Sequence, residues 1–168
     1  RGKKRSVFMA QRERIFQYTH RRQQILLLKD TQTGAVSLML LPEGMEKKAL
    51  CNKECASDSV VHLHLAGDML PWAFSNGRTM RGSESTAGLR YLDHAFDRLE
   101  DGHRLKVRLA DGRGCETAFV LRLRDGYDAL ETWTEFENKS GEEVTLELLT
   151  TVCTSSIQSL LFAVQKFL

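Results

Sequence analysis

The segment from Gly67 to Thr86 carries the residues of this sequence with the greatest capacity for binding chemistry. It combines Trp72 and Phe74 with two arginines, Arg78 and Arg81, and with several hydroxyl side chains. Such a mixture of aromatic anchors, cations and hydroxyl groups can bind a polar ligand or dock another domain. The alternative is a connecting loop in which the two aromatic side chains plug the end of a β-sandwich.

A second group of residues has the types that bind zinc. Cys51 and Cys55 form a C-x3-C pair, and His62 and His64 follow closely. Thiolate and imidazole groups are the usual zinc ligands. However, both histidines fall on the polar positions of an alternating strand, which explains them without a metal. We therefore expect no metal site and no cofactor.

Period-two alternation organises the rest of the chain. Asp-Gly pairs occur at 101–102, 111–112 and 125–126, between the predicted strands, and each suits a tight turn. The pattern predicts an all-β fold, an antiparallel β-sandwich, with short helical segments near the termini, at 8–18 and 156–168. The predicted strands cover residues 24–29, 35–40, 61–65, 105–109, 120–124, 129–138 and 144–149, and the last two are expected to form one long hairpin.

Charge is distributed unevenly along the chain. Residues 1–30 carry nine Lys or Arg and two acidic residues, a net +7, so the remainder carries −5 of the total +2. We interpret residues 1–24 as a basic, partly disordered leader, residues 25–155 as the sandwich, and residues 156–168 as an apolar tail. The tail is either a truncation or the start of a linker to a missing domain. A nucleic-acid-binding arm is the less favoured interpretation of the leader, because no RNA-reading or zinc-finger spacing accompanies it.

Location and membrane association follow from simple counts. The chain has four cysteines, too few and too scattered for a disulfide scaffold in a domain of this size. No apolar run approaches the roughly 20 residues that a membrane-spanning helix needs. We expect a cytoplasmic protein with reduced thiols that binds neither nucleic acid nor a membrane.

Two segments resemble one enzyme family. Residues 74–86, FSNGRTMRGSEST, are similar to the FS-x-GRTMR-x-SE(S/T)T stretch in the amino-terminal domain of bacterial α-galactosidases of glycoside hydrolase family 36. Residues 128–147 are similar to the hairpin of the same domain that contains ALE and a later VTLE. The two motifs occur in the family's order and at its separation. The resemblance covers roughly residues 63–151.

The resemblance implies a large β-sandwich that precedes a catalytic (β/α) barrel. In that family two aspartates of the barrel hydrolyse terminal α-galactosyl groups with retention of configuration. A barrel needs about 250 residues, so this chain is too short to contain one. Whether the chain is itself an enzyme is therefore open, and no residue is nominated as catalytic. No catalytic role is assigned to the aspartates of the predicted turns and strands, which are Asp30, Asp58, Asp68, Asp93, Asp97, Asp101, Asp111, Asp125 and Asp128.

The resemblance also implies partners and a substrate-binding role. A loop of this domain reaches a neighbouring subunit's active site in the family's tetramers, so we expect a barrel partner, a homo-oligomer and α-galactosides as ligands. Trp72, Arg78 and Arg81 are the candidate substrate-binding residues, because an indole stacks on a pyranose and guanidinium groups donate to hydroxyls. The alternative function is a stand-alone carbohydrate-binding or interaction module.

Overall fold

A computed structural model describes residues 12–45, 58–70 and 82–152. The described chain is almost entirely antiparallel β-structure, which confirms the predicted all-β, sandwich-like fold. Three sheets have the strand orders β1-β2-β3, β4-β9 and β5-β6-β7-β8. The strands are β1 (Arg12–His20), β2 (Gln23–Asp30), β3 (Val36–Pro42), β4 (Leu63–Leu65), β5 (Arg90–Leu99), β6 (Gly102–Ala110), β7 (Cys115–Arg124), β8 (Leu130–Asn138) and β9 (Leu146–Leu149).

Helical structure is minimal among these residues. One five-residue helix, α1 (Glu84–Gly88), lies between β4 and β5. Within the described ranges, no helix is long and apolar enough to cross a membrane. The predicted terminal helix at 156–168 lies outside the described residues.

The hairpin of β2 and β3 forms as its sequence predicts. Lys29 pairs with Val36 next to the turn, and Gln23 pairs with Pro42 at the far end. Asp30 holds the turn, because its carboxylate accepts hydrogen bonds from the backbone N–H groups of Gln32 and Thr33, each 2.8 Å long. An aspartate that bonds to the backbone two and three residues later replaces a part of the turn's own hydrogen bonding.

The four-stranded sheet is a simple meander whose turns are the three Asp-Gly pairs. Neighbouring strands pair without interruption from Gly102 opposite Arg124 to Ala110 opposite Glu116, and β8 pairs with β7 from Leu130 to Asn138. Side chains alternate along β6, where Leu105, which points inward, is fully buried. The sheet therefore has one apolar and one charged face.

The main core lies between the apolar face of this meander and one face of the β2-β3 hairpin. Fully buried side chains from both sheets and from β4 form a single cluster, which includes Ile25, Leu38, Leu63, Val107 and Phe119. The opposite face of the hairpin is also buried and contains Leu26, Leu28, Met39 and Leu41. This explains why β2 and β3 are apolar without alternation, as expected of strands that are covered on both sides.

Strand β1 corrects two predictions about the amino-terminal region. Residues 12–18 were predicted to be helical and residues 1–24 to be a leader, yet residues 12–20 form an edge strand paired with β2. Phe16 and Tyr18 pack against Phe96, with ring centroids 5.1 and 4.7 Å apart. These long-range aromatic contacts favour the strand. The charged residues of β1 interrupt the alternation of apolar and polar residues, so the sequence pattern did not predict a strand there.

The long hairpin predicted for 129–138 and 144–149 is also wrong. The turn at Asn138 to Gly141 exists, because the Asn138 carboxamide oxygen accepts the Ser140 N–H at 3.0 Å and Gly141 has φ +80°. After it, however, the chain leaves the sheet, and β9 pairs with β4, with Leu63 opposite Leu149. Strand β5, which sequence alternation did not reveal, is the edge of the meander.

A substitution at Gly102 tests the close packing of β6 against β7. A Cβ atom there would lie 1.9 Å from the Leu123 carbonyl oxygen, so Gly102→Ala must displace backbone. We expect a loss of about 3 kcal/mol in the free energy of unfolding, measured by urea denaturation. Gly112→Ala, which meets no atom within 4 Å, is the matched control and is expected to change stability by less than about 0.5 kcal/mol. Equal effects of the two substitutions would contradict the packing described.

Candidate functional site

The candidate segment is described at its two ends. Trp72, Arg78 and Arg81 lie outside the described residues, as do Cys51 and Cys55. Before the segment, Asp68 and Met69 follow β4, and after it, Gly82 leads into helix α1. The backbone N–H of Glu84 donates to the carbonyl oxygen of Met69 at 3.1 Å, which joins the two ends directly.

Asp68 is the centre of the hydrogen bonds that hold these ends together. Its side chain is fully buried, and its Oδ2 accepts the backbone N–H groups of Leu65 at 3.1 Å and Ser85 at 3.2 Å. Its Oδ1 accepts from Arg113 Nη1 at 3.1 Å. One carboxylate therefore connects β4, helix α1 and the β6-β7 turn.

Arg113 completes the same network from the β6-β7 turn. Its Nε donates to Asp111 Oδ2 at 3.2 Å, and its Nη2 donates to the Ser85 hydroxyl. Asp111 in turn accepts the backbone N–H of Cys115 at 2.8 Å. We call Asp68, Ser85, Asp111 and Arg113 the Asp68 clamp. It fixes both ends of the candidate segment to the rigid meander.

The electrostatics of the clamp favour the charged pair. Burial by itself raises the pKa of Asp68, but hydrogen bonds from Ser85, Leu65 and Arg113 outweigh it, and the pKa lies below its ordinary value. For Arg113, burial lowers the pKa, and the two carboxylates of Asp68 and Asp111 outweigh this and raise it. Asp68 is thus an ionised structural anchor.

The three hydroxyl groups of the first motif that the structure describes bond within the protein. Ser83 caps helix α1, and its Oγ donates to the Leu63 carbonyl oxygen at 2.5 Å. Thr86 Oγ1 bonds to both the N–H and the carbonyl oxygen of Leu63, each at 2.9 Å. Ser83, Ser85 and Thr86 are all buried. The Ser-Glu-Ser-Thr end of the motif therefore pins helix α1 to β4.

The histidine pair is more buried than its place on the polar positions of a half-buried strand predicted. His62 and His64 are 4% and 6% exposed. His64 Nδ1 lies 3.1 Å from Glu147 Oε2, while both ring nitrogens of His62 lack a hydrogen-bond partner. Among residues 12–45, 58–70 and 82–152 there is no group of three side chains placed to hold a metal ion. Burial lowers the pKa of His62, so its ring is neutral near pH 7.

Eight of the described aspartates make structural contacts. Asp30 caps a turn, Asp68 and Asp111 belong to the clamp, and Asp101 pairs with Arg122 at 2.8 Å. Four others pair with arginines: Asp93 with Arg108, Asp97 with Arg104, Asp125 with Arg98, and Asp128 with Arg21.

Trp133 is a candidate binding residue that sequence reasoning did not select. It lies on β8 among the acidic residues of the outer sheet face and is 36% exposed. The signal was present in the sequence, since Glu131-Thr132-Trp133-Thr134-Glu135 places a large aromatic residue on the polar positions of an alternating strand. The neighbouring cations on β6, which complete the site, cannot be assigned without the strand register.

Comparisons of this chain with protein-family models, curated proteins and solved structures find no match.

The Asp68 clamp predicts a pH-dependent stability difference. Because the folded pKa of Asp68 is lowered, the carboxylate stabilises the fold above its unfolded pKa of about 3.9, and this contribution is lost as pH falls through the lower folded value. Asp68→Asn should therefore cost about 1–3 kcal/mol at pH 7 in urea unfolding, and less at pH 3.

Asp125→Asn is the matched control for this substitution. It removes an ion pair between Asp125 and Arg98, and both side chains are more than half exposed. The free energy of unfolding should therefore fall by less than about 0.5 kcal/mol. A difference between Asp68→Asn and the unchanged protein that stays constant from pH 7 to pH 3 would contradict the assigned ionisation.

The lowered pKa of His62 predicts that stability also depends on pH in a second, higher range. Its folded pKa lies below the unfolded value of about 6.5, so the unfolded chain binds the proton more tightly and stability falls as pH decreases below about 6.5. We expect His62→Leu to reduce the slope of unfolding free energy between pH 7 and pH 5. Thr117→Val replaces another buried polar side chain, one that does not titrate, and should keep the original slope. An unchanged slope in His62→Leu would refute this role.

Proposed function

We propose that this chain is the amino-terminal β-sandwich of an α-galactosidase of the family 36 type, which hydrolyses terminal α-galactosyl residues of oligosaccharides with retention. The observation that carries the proposal is the pair of motifs at residues 74–86 and 128–147, in the family's order. The antiparallel sandwich-like fold supports it, as do the contacts of Ser83 and Thr86, which give their motif positions a physical reason.

The chain's role in this proposal is positioning rather than chemistry. The catalytic aspartates belong to a barrel outside this sequence, so the chain by itself is inactive. The Asp68 clamp holds the ends of the segment that carries Trp72, Arg78 and Arg81, which bind the sugar in a neighbouring subunit. The barrel domain and further copies of the protein are the partners, without cofactor, metal, nucleic acid or membrane, in the cytoplasm.

The full reading frame that contains these residues provides the test. Its product should hydrolyse an aryl α-galactoside and leave the aryl β-galactoside intact, whereas residues 1–168 alone should hydrolyse neither. Arg78→Ala and Arg81→Ala should raise KM about tenfold or more, because each loses charge-assisted hydrogen bonds worth about 1.5–3 kcal/mol. Arg14→Ala, whose exposed side chain bonds only to Gln17 within β1, is the control for loss of a cation.

Either of two results would overturn this proposal. One is a product that lacks α-galactosidase activity although it is folded. The other is hydrolysis by residues 1–168 alone, because no catalytic carboxylate pair has been assigned within them.

The second candidate is a stand-alone carbohydrate-binding module. The exposed indole of Trp133 on an open sheet face favours it, since aromatic side chains on such faces offer a flat apolar surface. Binding of galactosides by the isolated chain, together with an inactive full product, would support this function over the first.

A further inference from the structure

The outer face of the four-stranded sheet is a candidate site that includes part of the second motif, residues 128–147, and none of the first. It consists of the outward side chains of β5 to β8, which are mostly charged. Lys106 and Arg108 extend from β6, and Glu135 and Glu137 extend from β8. Strand β7 lies between them, and its outward residue at this level is Ala118, whose side chain is a single methyl group.

The small size of Ala118 creates a depression in this face. The register places Ala118 between Arg108 on one neighbouring strand and Glu135 on the other, so a single methyl group separates two long side chains. The resulting depression has a volume of about 320 Å³. Small-molecule sites begin at about 300 Å³. The depression therefore suits one small ligand.

Charged pairs hold the walls of the depression in place. Lys106 Nζ lies 2.6 Å from Glu135 Oε2 on one side. On the other side, Glu116 lies 3.4 Å from Arg108 and 2.8 Å from Lys139. The walls are therefore supplied with donors and acceptors whose positions are already fixed, which reduces the ordering cost of binding a polar ligand.

Trp133 adds an oriented apolar surface beside the depression. Its Nε1 donates to Glu135 Oε1 at 3.2 Å, which ties the indole to the wall residue. Directly opposite on β7 lies Val120, which points outward and yet is only 1% exposed. Trp133 and Val120 are therefore cross-strand neighbours on the outer face, and Trp133 keeps 36% of its surface exposed there.

The charges around the depression select against an anionic ligand. Three cations, Lys106, Arg108 and Lys139, lie among four carboxylates. Each cation is already paired with at least one of these carboxylates, which are Asp93, Glu116, Glu135 and Glu137. Hydrogen bonds from Lys106 and Trp133 lower the pKa of Glu135, which stays ionised. An anion would have to displace an existing ion pair, whereas hydroxyl groups can donate to the carboxylates and accept from the cations.

We propose that the depression at Ala118, together with Trp133, binds one neutral hexopyranose unit of a saccharide. The apolar face of the sugar stacks on the open face of the indole, and its hydroxyl groups bond to Lys106, Arg108 and Glu135. This site is separate from the segment at 71–81. It shares its ligand class with the proposed function and needs no catalytic barrel.

The two tryptophans allow a direct test, since the chain contains only Trp72 and Trp133. Trp72→Phe leaves Trp133 as the single reporter, and Trp133→Phe leaves Trp72. Methyl α-galactopyranoside should change the emission of Trp72→Phe in a saturable manner. Trp133→Ala should weaken binding, measured by calorimetry, at least about tenfold, and Ala118→Leu, which fills the depression, should do the same.

Controls separate the site from general effects. Tyr127→Ala removes another exposed aromatic side chain, 65% exposed, and should leave binding unchanged. Galacturonate, the anionic counterpart of the sugar, should bind more weakly than the neutral galactoside. Unfolding curves of Trp133→Ala and Ala118→Leu establish that both are folded before binding is compared.

Several results would overturn this site. The first is a saturable change in emission from Trp72 but not from Trp133. The second is no saturable change from either tryptophan at sugar concentrations up to about 50 mM. The third is tighter binding of galacturonate than of methyl α-galactopyranoside. The failure of this site is distinguishable from failure of the proposed function. Galactosidase activity of the full product with a silent Trp133 overturns only the site, whereas binding at Trp133 with an inactive product overturns only the α-galactosidase proposal.

Discussion

Strict alternation of side chains along β6, β7 and β8 is the constraint on which the other features depend. Leu105, Val107 and Leu109 point into the core, while the residues between them are basic and lie on the outside. A register shift of one residue would bury those cations and expose the leucines. Gly102 permits the close approach of β6 to β7 at one end, so one register defines both the core and the charged outer face.

The Asp68 clamp fixes the two described ends of the candidate segment to this meander. Arg113 belongs to the β6-β7 turn, and its bonds to Asp68 and Ser85 tie both ends of the segment to the meander. Ser83 and Thr86 add bonds to Leu63 in β4. Residues that looked like ligand-binding hydroxyl groups in the sequence therefore build the support, and the proposed sugar contacts remain with Trp72, Arg78 and Arg81.

Local sequence patterns predicted the turns, whereas strand β1 and the pairing of β9 depend on contacts between residues far apart in the chain. Asp-Gly pairs and the cap at Asp30 are encoded within a few residues, so the β2-β3 hairpin and the meander turns were predictable. Strand β1 depends on the packing of Phe16 and Tyr18 against Phe96, eighty residues away in the chain, which periodicity cannot reveal. Likewise, β9 pairs with β4 because of tertiary packing, and the walls around Ala118 require the register of three strands.

The meander is proposed to use its inner face for folding and its outer face for binding a sugar. Amide chemical shifts of the 15N-labelled chain, followed during addition of methyl α-galactopyranoside, test it most directly. We predict saturable shifts at the Trp133 indole N–H and at amides of residues 106–108, 116–120 and 133–137, with core amides of β2 and β3 unchanged. Shifts confined to other surfaces, or no saturable shifts, would contradict it.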